Sequence, residues 1–244
     1  MKFLNEIAGF DINKICIAIM TPYPECVERC RTRDRVVEEK VVRNMYMNWQ
    51  PPHKHEGFDS VRFFNNGNDD TFKLIADEYD VINGALDEFD QENEHHNLSL
   101  GQHCKKAYDI IMSDPTTASY SLCAAALFHD IGKVETKTNI TPKGVVDEKN
   151  YHYYQHHCVG AYLYALLWCF VDIIDIQDSR TAYVANLIYY HMHPYCSWKQ
   201  SDKAMERDKK IIGEKVELRF DPYSISLSDN GIECNIVEIL DYGI

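Results

Sequence analysis

The chain of 244 residues lacks any long hydrophobic run. Its longest apolar stretch, 161–171 (AYLYALLWCFV), has 11 residues, whereas a helix that crosses a bilayer needs about 20. We therefore expect a buried core helix there and no membrane partner. The opening segment MKFLNEIAGFDINK contains Glu6 and Asp11 and lacks the apolar core of a signal peptide, which favours a cytoplasmic location.

The sequence also lacks a Cys-x-x-Cys pair, although it contains nine cysteines. An odd number of scattered cysteines, several within apolar stretches, is not typical of a disulfide framework. Reduced cysteine behaves as a small hydrophobic residue. We therefore expect buried thiols and a reducing compartment.

Positive charge is scarce, because 25 lysines and arginines face 38 acidic residues and the formal net charge is −13. Such a surface repels a phosphate backbone, so we expect no general nucleic-acid-binding surface. A small phosphorylated substrate or nucleotide remains compatible with this charge if a bound cation supplies the attraction. The sequence leaves oligomer formation open.

The chain divides into two segments of different character. A β-branched run at 14–20 and a second run at 60–64 predict strands, with a helix predicted between them at 36–49. The turn-forming cluster at 65–70 predicts a boundary, which gives an α/β segment at 1–68 and a helical domain at 69–244. The helices of that domain are predicted at 72–90, 98–113, 116–129, 156–174, 179–192 and 198–212, with a hairpin or long loop at 134–155. The expected fold is mainly α with a small N-terminal α/β appendage.

Nine of the eleven histidines lie between positions 95 and 193. Histidine is a common metal ligand and general base. Although a single histidine on a helix is usually structural, this concentration on a helical scaffold indicates a shared site. The nine are His95, His96, His103, His129, His152, His156, His157, His191 and His193.

The segment CAAALFHDIGK ends an apolar run with His129 and Asp130. Neighbouring side chains within a helix point in different directions. At a helix C-terminus, where Gly132 permits the chain to turn, both can reach one cation. The packed apolar run would hold these two side chains in place. The sequence therefore predicts a metal site at the end of this helix.

Four short motifs together resemble a known family. They are LSLGQHCKKA around His103, ALFHDIGK at 126–133, YYQHHCVGA at 153–161 and YYHMHPY at 189–195. This set is similar to the HD-domain superfamily of metal-dependent phosphohydrolases, especially the HD domain of bacterial tRNA nucleotidyltransferases. The resemblance covers about residues 85–215 and implies an HD-domain helical bundle.

The resemblance implies His103, His129 and Asp130 as metal ligands. The family closes its ligand set with an aspartate on a later helix, and Asp229 is the nearest equivalent here. The sequence around Asp229 (ISLSDNGIE) departs from the family pattern, because Asn-Gly is unfavourable in a helix. The alternatives for this position are Asp202 and Asp221.

The resemblance also implies catalytic residues. Asp130 would bind metal and orient the nucleophile, and Lys133 would lie near the substrate phosphate. His156 and His191 match outer histidines that bind a second metal or contact phosphate. The neighbouring alternatives are His157 and His193, and His96 matches a histidine that often precedes the first ligand.

The N-terminal segment carries a separate resemblance. Its sequence KICIAIMTPYPECVERCRTRDR, followed by PPHKHEGFDSV, is similar to the last strand and the arginine-bearing lid of P-loop polynucleotide kinases. No phosphate-binding Gly-x-x-x-x-Gly-Lys-[Ser/Thr] motif is present, so this segment cannot catalyse phosphoryl transfer from ATP. Alternatively, it is a small α/β appendage whose arginines form a solvated basic face.

The expected function is hydrolysis of a phosphomonoester or phosphodiester through a metal-activated water. Mixed histidine and carboxylate ligands suit one or two ions of Mn, Fe, Co, Ni or Mg. Two alternatives stay open. The first is a non-catalytic module that binds metal or nucleotide, and the second is an RNA end-processing subunit that acts on 2′,3′-cyclic or 3′-phosphate ends.

Overall fold

The structure is a computed structural model that describes residues 13–92, 97–113, 119–169 and 180–212. For Tyr195 and for the strands 216–219 and 238–241 it describes the backbone only. Asp229, Asp221, His95 and His96 therefore lie outside the described residues. Within the described part the fold is mainly α, which confirms the predicted class.

The helices and strands follow one another in a simple order. In the N-terminal segment they are β1 (Ile15–Met20), α1 (Tyr23–Thr32), α2 (Glu39–Met47) and β2 (Ser60–Asn65), with a 3₁₀ turn at Lys54–Glu56. The central helices are α3 (Asp69–Glu78), α4 (Leu100–Ser113), α5 (Tyr120–Phe128) and the short α6 (Lys133–Thr136). The remaining elements are β3 (Lys137–Thr138), β4 (His152–Tyr153), α7 (His156–Trp168), α8 (Arg180–Tyr190), a π-helical turn (Pro194–Trp198), α9 (Asp202–Ile212), β5 (Val216–Arg219) and β6 (Glu238–Asp241).

Helix α7 lies at the centre of the core. Most of its side chains are buried, and it packs against α8, α6 and α2. The apolar sequence 161–168 thus forms a core helix, as predicted, and no described helix has the length and hydropathy needed to cross a membrane. Helix α5 is also buried on most sides and packs against α4 and α8. This arrangement brings the ends of α5 and α8 and the start of α7 together.

The N-terminal strands pair in parallel, with Ile15 opposite Ser60. Such pairing needs a crossover connection, which α1 and α2 supply. Tyr46 of α2 packs edge-on against Tyr162 of α7, with ring centroids 5.1 Å apart, and the Tyr162 hydroxyl donates a hydrogen bond to the carbonyl of Thr21. The α/β segment therefore shares one continuous hydrophobic core with the helical part, while the boundary at 68/69 stays a prediction.

Two of the predicted elements differ from the structure. Helix α3 ends at Glu78 instead of continuing to residue 90, because the Asp80 side chain accepts a hydrogen bond from the Asn83 backbone and Gly84 adopts φ +90°. Helix α1 was not predicted, because its short sequence contains Pro24 and lies in a stretch with arginines at positions 29, 31, 33 and 35. Proline is tolerated in the first turn of a helix, and here it occupies that turn.

Candidate metal centre

Four histidines surround the carboxylate of Asp130. The Oδ2 atom of Asp130 lies 3.3 Å from Nε2 of both His103 and His129. Its Oδ1 atom lies 3.2 Å from Nε2 of His156 and 3.6 Å from Nε2 of His191. All five residues are buried. Two groups that can hold a metal ion therefore share Asp130, one with His103 and His129 and the other with His156 and His191.

The buried carboxylate occupies the centre because of the local sequence. Helix α5 is capped at Ser119, whose side chain accepts a hydrogen bond from the Leu122 backbone, and it ends at Phe128. His129 and Asp130 directly follow this end, as the sequence predicted, and their side chains converge. The apolar face of α5 fixes the backbone from which both project.

The predicted role of Gly132 is wrong. Its φ of −64° and ψ of −12° are ordinary right-handed helical values. Any residue can adopt this backbone conformation, so the dihedral angles do not require glycine. Instead, a Cβ at this position would lie 2.1 Å from the carbonyl oxygen of His156 and 2.5 Å from the backbone nitrogen of Gly160. Glycine is needed because the chain after Asp130 lies directly against α7.

Backbone carbonyls fix the tautomers of three of the histidines. The Nδ1 atom of His129 donates to the Ala126 carbonyl at 2.8 Å. The Nδ1 atoms of His156 and His191 donate to the carbonyls of Tyr153 and Ile188 at 2.7 Å and 2.6 Å. A carbonyl only accepts, so each Nδ1 carries the proton and each Nε2 of a neutral ring presents a lone pair. Metal-binding histidines are commonly oriented in this way.

The donor set of the second group fits a cation. Nε2 of His156 and Nε2 of His191 lie 3.2 Å apart, and both face Asp130 Oδ1. When the rings are neutral, these three atoms are all acceptors, so they repel one another unless a cation lies between them. Two nitrogens bound to one ion at about 2.0–2.1 Å are separated by roughly 3 Å. The residues therefore fit a divalent metal.

Charge and burial keep the centre in its ligand form. Burial lowers the pKa of His103 and lowers the pKa of His191 to about 4. Burial alone would raise the pKa of Asp130, but electrostatic attraction and hydrogen bonds from its neighbours His129, Lys133 and His103 outweigh burial and hold this pKa well below its ordinary value. At neutral pH His103 and His191 are neutral and Asp130 is ionised. Metal binding requires these protonation states.

Lys133 lies at the edge of the centre on α6. Its Nζ is 2.8 Å from Asp130 Oδ2 and 2.8 Å from Gln91 Oε1. The side chain is buried and lies 5.4 Å from the centroid of the Tyr153 ring. The predicted catalytic lysine is therefore part of the constellation, with its charge beside the carboxylate.

The alternative histidines form an outer layer. His157 has its ring centroid 6.4 Å from that of His191 and 6.1 Å from that of His193, and burial lowers its pKa to about 2. His193 binds the buried carboxylate of Asp208 through Nδ1 at 2.7 Å. Neither residue belongs to the two groups around Asp130. His156 and His191, which the resemblance favoured over His157 and His193, are the histidines that lie beside Asp130 Oδ1.

The remaining acidic candidates differ in position. Asp202 is exposed at the first residue of α9 and belongs to neither group, and Asp229 lies outside the described residues. Sequence reasoning missed Asp208 and Gln91. The sequence did contain a signal for Asp208, because it precedes Ile212 by four positions and so lies on the same face of α9. The sequence contained no signal for Gln91, since it lies in an irregular segment and its partner Lys133 is 42 residues away along the chain.

Comparison with known protein families, curated proteins and solved structures found no match to this chain.

The metal-free protein should lose stability as the pH falls from about 6.5 toward 4. In the unfolded chain, histidines bind protons near pH 6.5, but in the fold His103 and His191 resist protonation. The unfolded state therefore binds more protons in this window, so the free energy of unfolding decreases as the pH is lowered. Urea unfolding in the presence of a chelator, at several pH values from 7.5 to 4.5, measures this slope.

His191→Gln should make that slope shallower, whereas His55→Ala should leave it unchanged, because His55 is exposed and lies outside the centre. Equal stability of the wild-type protein at pH 7 and pH 5 would show that the buried histidines do not behave in this way.

Proposed function

We propose that this protein is a metal-dependent phosphohydrolase with an HD-domain helical bundle, and that it cleaves a phosphomonoester or phosphodiester. The observation that carries the proposal is the set of ligand atoms around Asp130: the Nε2 atoms of His156 and His191, whose Nδ1 atoms donate to backbone carbonyls, face a buried carboxylate. The resemblance to HD-domain enzymes supports the same residues. Their origin in α4, the end of α5, the start of α7 and the end of α8 is consistent with that bundle.

The residues divide the work of hydrolysis between them. His103, His129, His156, His191 and Asp130 would hold one or two divalent ions. A bound divalent ion lowers the pKa of its water toward neutrality and attracts the phosphoryl oxygens. Asp130 orients the site by placing one oxygen in each group.

Lys133 adds a fixed positive charge to the same pocket. A phosphoryl group carries negative charge on its non-bridging oxygens, which a preorganised cation stabilises with little rearrangement. The surface as a whole is acidic, so Lys133 and the metal would supply the local attraction for a phosphorylated substrate. Burial of Lys133 and its neighbours strengthens this attraction.

The proposal predicts that the purified chain contains a stoichiometric divalent metal and hydrolyses p-nitrophenyl phosphate or bis-p-nitrophenyl phosphate. His191→Ala should reduce turnover by about 10²-fold or more, because it removes one of the nitrogen ligands that would hold the metal. Elemental analysis and steady-state hydrolysis after loading with each candidate metal measure both properties. His152→Ala is the matched control and should behave as wild type.

Three outcomes separate the alternatives. Metal content without hydrolysis of any phosphoester would favour the non-catalytic module. A preference for 2′,3′-cyclic or 3′-phosphate RNA ends over free nucleotides would favour the RNA end-processing subunit. Full activity in His191→Ala, with unchanged metal content, would contradict the proposed site.

A further inference from the structure

Gln91 is a polar residue that is only 1% exposed, and its polar groups are bound on several sides. Its Oε1 accepts a hydrogen bond from Lys133 Nζ at 2.8 Å, and its Nε2 donates to the Leu98 carbonyl at 3.1 Å. Its backbone carbonyl accepts from the Tyr153 hydroxyl. Burial of an amide costs free energy unless it is hydrogen-bonded, so this side chain has one well-defined position.

The segment that carries Gln91 is itself fastened beside the centre. Lys137, four residues after Lys133, donates to the Asp90 carbonyl at 2.8 Å and to Glu92 Oε1 at 2.6 Å. The Tyr151 backbone nitrogen donates to the Glu92 carbonyl at 3.0 Å. The segment 90–92 is therefore bound to Lys137 of β3 and to Tyr151, directly before β4, so Gln91 is held on both sides.

Gln91 fixes the Lys133 ammonium without neutralising it. A lysine side chain has four flexible carbons, and its ammonium is a compact point charge. Here that charge lies between one carboxylate oxygen of Asp130 and the amide oxygen of Gln91. An amide is neutral, so the contact with Gln91 holds the position of the ammonium without adding negative charge beside it.

We propose that Gln91 is a positioning residue, which holds Lys133 where its charge binds the phosphoryl group of the substrate. This inference rests on the proposed function. It assigns Gln91 an effect on phosphate binding that acts entirely through Lys133. Gln91 lies in neither ligand group, so its replacement should leave metal affinity within about twofold of wild type.

The test measures inorganic phosphate binding to the full chain loaded with Mn²⁺, by titration calorimetry. Gln91→Met, which removes the acceptor at similar volume, should weaken phosphate binding about tenfold. Lys133→Met should weaken it at least as much, and the double variant should be no weaker than Lys133→Met alone. Gln200→Met replaces an exposed glutamine and should bind phosphate as wild type.

Additive losses in the double variant, or wild-type phosphate affinity in Gln91→Met, would overturn the inference, as would an absence of phosphate binding by the wild-type chain. If Gln91→Met does not fold, Gln91→Glu replaces it. That carboxylate retains the acceptor but neutralises the ammonium, so it should also weaken phosphate binding about tenfold, and unchanged affinity would refute the role. Phosphate binding with the predicted coupling but without hydrolysis would reject only the proposed function.

Discussion

Asp130→Asn should abolish metal binding and lower turnover by about 10³-fold or more. The two carboxylate oxygens face different pairs of histidines, and an amide of the same shape supplies only one oxygen without charge. Its NH₂ group would point at ring nitrogens that must bind a cation. The substitution also removes the anionic partner of Lys133. Breaking such a buried pair typically costs about 3–5 kcal/mol, so the melting temperature should fall as well.

Metal content by elemental analysis, hydrolysis of an aryl phosphate and thermal unfolding measure these three effects. Asp202→Asn is the matched control, because Asp202 is exposed on α9 and should retain all three properties. A folded Asp130→Asn protein with wild-type metal content would mean that the carboxylate is not a ligand.

The sequence predicted the parts of the fold that periodicity and burial determine. The apolar sequences of α5 and α7 lack polar faces, and both helices lie in the core. His129 and Asp130 were predictable as a pair because they end such an apolar run. His103, His156 and His191 were separated from them along the chain, and it was the resemblance to HD-domain proteins that indicated the grouping.

What the sequence did not predict depends on contacts between distant residues. The Lys133–Gln91 hydrogen bond joins an irregular segment to α6, and neither the residue types nor their spacing in the sequence predicts it. The choice between His156 and His157 depends on which of the two side chains points toward Asp130 from the first turn of α7. The sequence defines the start of a helix poorly, so it does not settle this direction. The requirement for glycine at 132 comes from the proximity of α7 rather than from a dihedral angle.

Gly132→Ala should therefore damage stability and the metal centre together. The new Cβ would lie 2.1 Å from the His156 carbonyl oxygen and 2.5 Å from the Gly160 nitrogen. Both atoms are backbone, so no side-chain rotation relieves the overlap and the chain after Asp130 must move away from α7. Overpacking of this kind costs about 1–3 kcal/mol or more. The movement also separates Asp130 from His156 and should lower metal affinity by at least tenfold.

Two other glycines make the comparison specific. Gly160→Ala, on the opposite side of the same contact, places its Cβ no closer than 3.3 Å to another heavy atom, so it should cost less stability and less metal affinity. Gly144→Ala meets no atom within 4 Å and should cost only the roughly 1–2 kcal/mol of a left-handed residue, with metal affinity unchanged. Calorimetric titration with Mn²⁺ and urea unfolding of the three variants rank them. If Gly132→Ala binds metal as tightly as Gly144→Ala, the close approach of α7 does not position the centre.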